Sequence, residues 1–312
     1  MPLQTKAIKQ KIKSVGNIKK ITKTMEMVSV SKMRRAVDKA LSSRSYAHYA
    51  LELLVNLSRD KNITHPLITP TLPRLRGASD NNNSELIIII TSNKGLCGGY
   101  HTNILKALNV YLKKEENQGK EIKAVTIGKY AEKICKKLNV PLFASFITFS
   151  EHSTIEQTSE LSNLVASEFK KGNYSSVKIL YTEFLKSTTY KPVLRELFPL
   201  SVNTVKNAVE LISEEKDLNI NEESLVDYKF EPDLNTILES ILPGLVDIVV
   251  YQSLAEAFAS EHSARMFAMK NAGDNATTIL DGLMLSYNHA RQDGITKELS
   301  EIVAGAEALN TN

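Results

Sequence analysis

The sequence has no run of about eighteen uncharged apolar residues, so a membrane-spanning helix is not expected. Its densest stretch, Leu86-Ile87-Ile88-Ile89-Ile90-Thr91, is far too short to cross a bilayer. Cysteine is nearly absent. Cys97 and Cys135 form no C-x-x-C pair and belong to no His/Cys cluster with metal-ligand spacing, which excludes a disulfide framework and a structural zinc site. Both are expected to be reduced and buried. The first residues, Met1-Pro2-Leu3-Gln4-Thr5-Lys6, enter a charged helical pattern without the apolar core and small-residue cleavage site of a secretory signal. The mature chain is accordingly expected to begin here, in the cytosol. With 312 residues and 42% hydrophobic content, it can bury a core without staples.

Helix breakers are scarce at the start. Between positions 6 and 57 the only glycine is Gly16 and there is no proline, while Ile8, Ile12, Val15, Ile18, Ile21, Met25 and Val28 recur in steps of three and four. That spacing predicts one apolar stripe along a helix on the order of 75 Å long at 1.5 Å per residue. Such a helix needs a long partner. Charge is also uneven: residues 1–44 hold 12 of the 39 Lys and Arg but only Glu26 and Asp38 of the 35 acids, so this arm carries +10 and the remainder −6. A basic arm can be a solvated face, or can meet nucleic acid, an anionic membrane or an acidic protein.

Residues 62–84 turn to His65-Pro66, Thr69-Pro70, Leu72-Pro73 and a Ser-Asp-Asn run, the composition of a linker. Strand-like segments at 86–91, 123–128, 143–149 and 176–182 then alternate with helix-like segments at 103–112, 129–138 and 155–169, predicting a sheet with helices on its faces over about 84–200. A second long helical pattern begins near Pro232-Asp233 and continues past Pro243-Gly244 to about Leu309. Its seven-residue columns are Ile248, Ala255, His262, Met269, Ala276, Leu283, Ala290 and Gln252, Ala259, Met266, Gly273, Leu280, Tyr287, Gly294. Among these fourteen only His262 and Gln252 are polar, so a coiled-coil face rich in small residues is expected. The chain ends are natural mates.

Four blocks carry a resemblance. They are Ile18-Lys19-Lys20-Ile21-Thr22-Lys23-Thr24-Met25-Glu26-Met27-Val28 with Ser31-Lys32-Met33-Arg34-Arg35; the turn Thr91-Ser92-Asn93-Lys94-Gly95-Leu96-Cys97-Gly98-Gly99; Ala259-Ser260-Glu261-His262-Ser263-Ala264-Arg265-Met266-Phe267-Ala268-Met269-Lys270-Asn271-Ala272; and Tyr287-Asn288-His289-Ala290-Arg291-Gln292, running on to Glu301-Ile302-Val303. In order and spacing they resemble the gamma subunits of F-type, proton-translocating ATP synthases. Residues 200–228 match poorly and lack a cysteine pair, which argues against the redox-regulated chloroplast type.

The resemblance implies an α/β fold with long helices: an antiparallel coiled coil of the N- and C-terminal helices plus an inserted Rossmann-like α/β domain. The expected division is 1–60 for the N-terminal helix, 61–83 for the linker, 84–228 for the α/β foot with its connecting segment and 229–312 for the C-terminal helix. It further implies one copy per complex as the central rotor, with the alternating alpha and beta hexamer, the epsilon subunit and the c-subunit ring as partners. Catalysis would reside on beta, with no cofactor on this chain. The expected location is the cytoplasmic face of a bacterial cell membrane, held there through the complex.

By the same resemblance Met25 meets a beta-subunit loop, although its place on the apolar stripe also suits a coiled-coil core. Arg291, Gln292, Thr296 and Glu298 fall where the C-terminal helix touches beta, the alternative being a solvated polar face. Phe230 and Glu231 fall opposite the c ring, the alternative being a helix-entry turn. The Lys94–Gly99 turn lacks both G-x-G-x-x-G and G-x-x-x-x-G-K-[ST], so a structural turn is favoured over a phosphate cradle. His262 is expected to be a packed seam residue. A nucleic-acid-binding module finds no zinc, helix-turn-helix or stacking-aromatic signature. A nucleotide-binding enzyme would have to use the glycine turn.

Overall fold

The computed structural model describes residues 3–42, 67, 84–116, 119–200 and 234–310. The expected linker, apart from Leu67, lies outside the described residues, as do positions 43–60 of the N-terminal pattern and the connection at 201–233. The chain divides into two compact units, Met1–Val30 with Arg265–Asn312, and Ser31–Ala264.

In chain order the elements are α1 (Leu3–Ser42), β1 (Ser84–Ile90), α2 (Tyr100–Glu116), β2 (Glu121–Ile127), α3 (Lys129–Leu138), β3 (Leu142–Phe146), α4 (Ile155–Lys170), β4 (Ser176–Lys186), β5 (Thr189–Phe198) and α5 (Leu234–Asn310). The fold is the expected one, an antiparallel coiled coil of terminal helices with an inserted Rossmann-like α/β domain.

In the larger unit the sheet order is β3-β2-β1-β4-β5, with β1 parallel to β2 and β4, β2 parallel to β3, and β5 antiparallel to β4. β1 is central and buried on both faces, which explains its unbroken isoleucine run. Strand alternation sends Leu86, Ile88 and Ile90 into a core with α4 and the 242–259 stretch of α5, and Ile87 and Ile89 into a second core with α2 and α3. Strand β5 is missing from the sequence reading. Pro192 and the charged Lys191, Arg195 and Glu196 hide it, and β5 tolerates them because it is an edge strand.

In the smaller unit all the predicted seam positions of α5, from Met266 to Gly294, are buried or half-buried, with Met269, Ala276 and Gly294 the most enclosed. The stripe on α1 needs correction. Ile18, Ile21 and Val28 are 49%, 58% and 48% exposed, whereas Thr22 and Ser29 are buried. Each buried hydroxyl donates to a carbonyl of its own helix, Thr22 to Lys19 at 3.0 Å and Ser29 to Met25 at 2.7 Å, so neither carries an unmet polar cost into the seam. Small hydroxyl residues then let the helices approach closely.

An eighteen-residue window within Glu239–Ala306 reaches a mean hydropathy of 1.4, apolar and long enough to cross a membrane by composition alone, which the sequence reading did not anticipate. Of that window 72% is buried inside the protein, so most of its apolar surface is already covered.

Candidate partner-contact surface

The smaller unit leaves apolar side chains unburied. On α1 these are Ile18, Ile21, Met27 and Val28, and on the far part of α5 they are Ile295, Leu299, Ile302 and Val303, between 48% and 68% exposed. Helical spacing sorts the predicted contact residues among them. Arg291, Ile295, Glu298 and Ile302 share one strip, and Gln292, Thr296, Leu299 and Val303 share the next. Arg291, Gln292, Thr296 and Glu298 are all exposed, and so are the large apolar residues interleaved with them. Interleaved apolar and hydrogen-bonding groups suit a protein interface.

Met25 is half-buried between the seam and this surface, and Glu26 beside it pairs with Lys23 at 3.1 Å. The predicted pair Phe230 and Glu231 lies outside the described residues. The exposed Ile18, Ile21 and Val28 are surface residues, although the apolar spacing places them on the packed stripe; the adjacent Thr22 and Ser29 carry the signal for the buried side.

In the larger unit, an open α/β sheet would offer a ligand the crevice at the carboxyl ends of β1 and β4, where the connections diverge to opposite sides. Here the chain fills that place itself. Tyr100, at the start of α2, donates to the Ala257 carbonyl of α5 at 3.1 Å, Ser260 donates to the Thr182 carbonyl of β4 at 3.0 Å, and Ser263 donates to the Ser187 carbonyl. Cys97, Tyr100 and Ala264 pack together beneath Tyr190.

The glycine turn is similarly committed to structure. Asn93 accepts the Lys129 N–H at 3.1 Å and donates to the Ile147 carbonyl at 2.9 Å, while the Tyr130 N–H goes to the Ser92 carbonyl at 3.2 Å. Those bonds use amides at the α3 N-terminus that an anion would otherwise take. Gly128, at φ 89°, faces the same turn so closely that a Cβ would stand 2.9 Å from the Thr91 oxygen. Both cysteines are buried, and burial with the nearby Glu132 pushes the Cys135 thiol up to about 12, which leaves it inert. Among the described residues no group of His, Cys, Asp and Glu could hold a metal ion.

Buried acids supply polar detail that the sequence did not show. Glu256 on α5 accepts from Gln252 at 3.2 Å. Burial raises its carboxyl to about 7, the hydrogen bonds from Gln252 and Tyr181 and the charge of Arg195 opposing the shift and Glu183 adding to it. Arg195 reaches Glu183 at 2.9 Å. At the opposite end of the sheet, Glu85 is fully buried and meets Lys178 at 2.9 Å and the Tyr111 hydroxyl at 2.5 Å.

A two-helix coiled coil with an apolar exposed surface, joined in sequence to an α/β domain whose crevice is closed by its own helix, suits a subunit held by other chains. The family model described as ATP synthase matches residues 4–309. The ATP synthase gamma chain of Janthinobacterium sp. (strain Marseille) is 36% identical over 306 residues, 97% of this chain and 99% of the relative. That of Paraburkholderia phymatum is 37% identical over 305 residues, with 97% and 99% covered. The chain belongs to the ATP synthase gamma-chain family. In solved structures its fold is similar to a chain of the Euglena gracilis mitochondrial ATP synthase OSCP/F1/c-ring assembly, with TM-score 0.62, 19% identity and 98% of this chain and 94% of that one covered. It is also similar to a chain of the Tetrahymena thermophila central stalk and c ring, with TM-score 0.54, 21% identity and 81% and 99% covered. At these identities the likeness is one of fold.

Proposed function

We propose that this chain is the central rotor stalk of an ATP synthase, coupling proton flow through the membrane sector to ATP synthesis or hydrolysis on the beta subunits. The observation that carries this reading is the exposed apolar surface of the coiled coil, set in a family of gamma chains. A rotor must act by contact alone. Each beta subunit changes its nucleotide affinity only as far as the face presented to it favours one conformer over another, so a shaft needs an uneven surface of apolar and hydrogen-bonding groups.

On this reading Met25, Arg291, Gln292, Thr296 and Glu298 touch the beta subunits of an alternating alpha and beta hexamer. Phe230 and Glu231 face the c ring, and the α/β domain meets epsilon and the ring. Residues 1–60 and 229–312 serve as the shaft, 61–83 as a linker and 84–228 as the foot. One copy serves each complex. It belongs to a membrane-associated complex and sits peripherally at the cytoplasmic face of a bacterial membrane.

Purifying the tagged chain from its own cells tests this. Alpha, beta and epsilon subunits should accompany it with ATP hydrolysis activity, and purification alone would overturn the reading. For the c-ring contact, a cysteine at Glu231 should crosslink to cysteines in the polar loops of the c subunits; no crosslink from any loop position would remove that assignment.

A further inference from the structure

The turn between β3 and α4 reaches both terminal helices at once. Glu151 in this turn is 9% exposed and stands 2.5 Å from Lys32 of α1. Its other oxygen lies 3.8 Å from His262 of α5, itself buried, and His152 lies 3.6 Å away on the outer side. Two residues on, the Ser153 carbonyl accepts from Lys39 of α1 at 3.0 Å. The turn is built to hold these groups: the Ser153 hydroxyl accepts the Ser150 N–H at 3.0 Å, and the Ser150 hydroxyl accepts the His152 N–H at 3.2 Å. Behind it the Ile147 carbonyl is tied to Asn93 at 2.9 Å, which also holds the start of α3. Beneath the ion cluster Ala36, Tyr251, Leu254, Ala255 and Phe258 close a small apolar cleft. Two helices distant in sequence thus converge on the carboxylate of a third segment, all of them within the Ser31–Ala264 unit.

The loop is short; Phe149 anchors it in the core shared with Ala36 of α1 and Leu254 and Phe258 of α5, and the residues from Ser150 to Thr154 are polar. A buried carboxylate is a costly way to add stability, because desolvation offsets most of the attraction. What it does supply is a directional tie. Removing Lys32 strands the buried Glu151 charge, so the intact pair favours the closed arrangement over a broken one. Burial alone would raise this carboxyl. The Lys32 hydrogen bond, the residue's own backbone N–H and the Lys32 charge outweigh it and hold the group at about 2, so it stays ionised across the physiological range.

We propose that Glu151 is a positioning residue for energy coupling: it latches residues 31–42 of α1 and the His262 turn of α5 to the α/β domain, so that helices and domain turn as one body. This rests on the rotor reading above. A domain that lagged behind its helices under load would let ATP be hydrolysed without matching proton transfer.

The test uses the whole ATP synthase in inverted membrane vesicles, with hydrolysis and ATP-driven proton uptake measured on the same preparation. Glu151→Gln should keep hydrolysis while proton uptake per ATP falls by roughly threefold or more, because the broken state becomes populated. Lys32→Gln should do the same, and the double variant should be no worse than either single one, because one pair is lost in each case. Glu151→Asp, which keeps the charge, should recover part of the ratio. An unchanged ratio in both single variants would overturn the proposal. So would hydrolysis and uptake falling together, or failure of both variants to assemble, since each outcome marks a purely structural role. Loss of proton uptake with the unmodified chain would instead remove the rotor reading itself.

Discussion

Gly273 on α5 faces Thr22 on α1 so closely that a Cβ at the glycine would stand 3.4 Å from the threonine hydroxyl oxygen. This is the limit of ordinary contact. Alanine at 273 would gain about 1 kcal/mol of helix propensity over glycine and just touch its neighbour, so Gly273→Ala should unfold at the same temperature as wild type or slightly higher. Gly273→Leu must push the helices apart and should cost about 1–3 kcal/mol. Thermal unfolding of the two variants, followed by circular dichroism, checks the ordering. Equal stability would mean that this seam is not tightly packed.

Glu256 sets a pH dependence of defined sign. Its folded-state value, about 7, lies above the ordinary 4.5. The stability it contributes is therefore fully present below about pH 4.5 and lost as pH rises through about 7, a change of about 3 kcal/mol. Glu256→Gln removes the titration, and its stability should vary less between pH 5.5 and 8 than that of wild type. Parallel profiles for the two proteins would refute the assignment. Glu151, lowered to about 2, acts in the opposite sense: its contribution is present above about pH 4.5 and is lost as pH falls towards 2.

The exposed strip carrying Gln292, Thr296, Leu299 and Val303 should be gripped in the assembled enzyme. Alanine at both Gln292 and Thr296 removes hydrogen-bonding groups without disturbing a core, because both side chains are exposed. The isolated chain should keep its stability within about 0.5 kcal/mol, while assembly or ATP turnover weakens. Wild-type turnover in the assembled double variant would count against contact at this strip.

Met25 is half-buried, so a lysine there can extend outward past the seam and carry its charge to the surface. On the proposed contact with beta, Met25→Lys puts a fixed charge against the partner and should lower proton uptake per ATP hydrolysed. Measuring both rates in vesicles decides it, an unchanged ratio being the contrary result.

Much of the fold was legible because its signals are local. The bounds of α3 coincide with its periodicity, the isoleucine run is the central strand, and every α5 seam column from Met266 onward is shielded. Strand β5 was hidden because an edge tolerates Pro192 and charge. The α1 stripe was misread at Ile18, Ile21 and Val28 because hydrophobicity was taken as burial, whereas it is the small Thr22 that lies beside Gly273. Arg291 and Glu298 were singled out by family resemblance, and the structure shows only that both are exposed. Their apolar neighbours Ile295 and Ile302 became informative only once their exposure was known. The ties of Glu151 to Lys32 and His262 join residues far apart in sequence, and no local pattern marks them.

Rotation itself is the most direct measurement. With the alpha and beta hexamer fixed to a surface and a bead attached through a cysteine introduced at Val110, an exposed position on α2, added ATP should turn the bead continuously in one direction. A bead that stays fixed while the same complexes hydrolyse ATP would contradict the account.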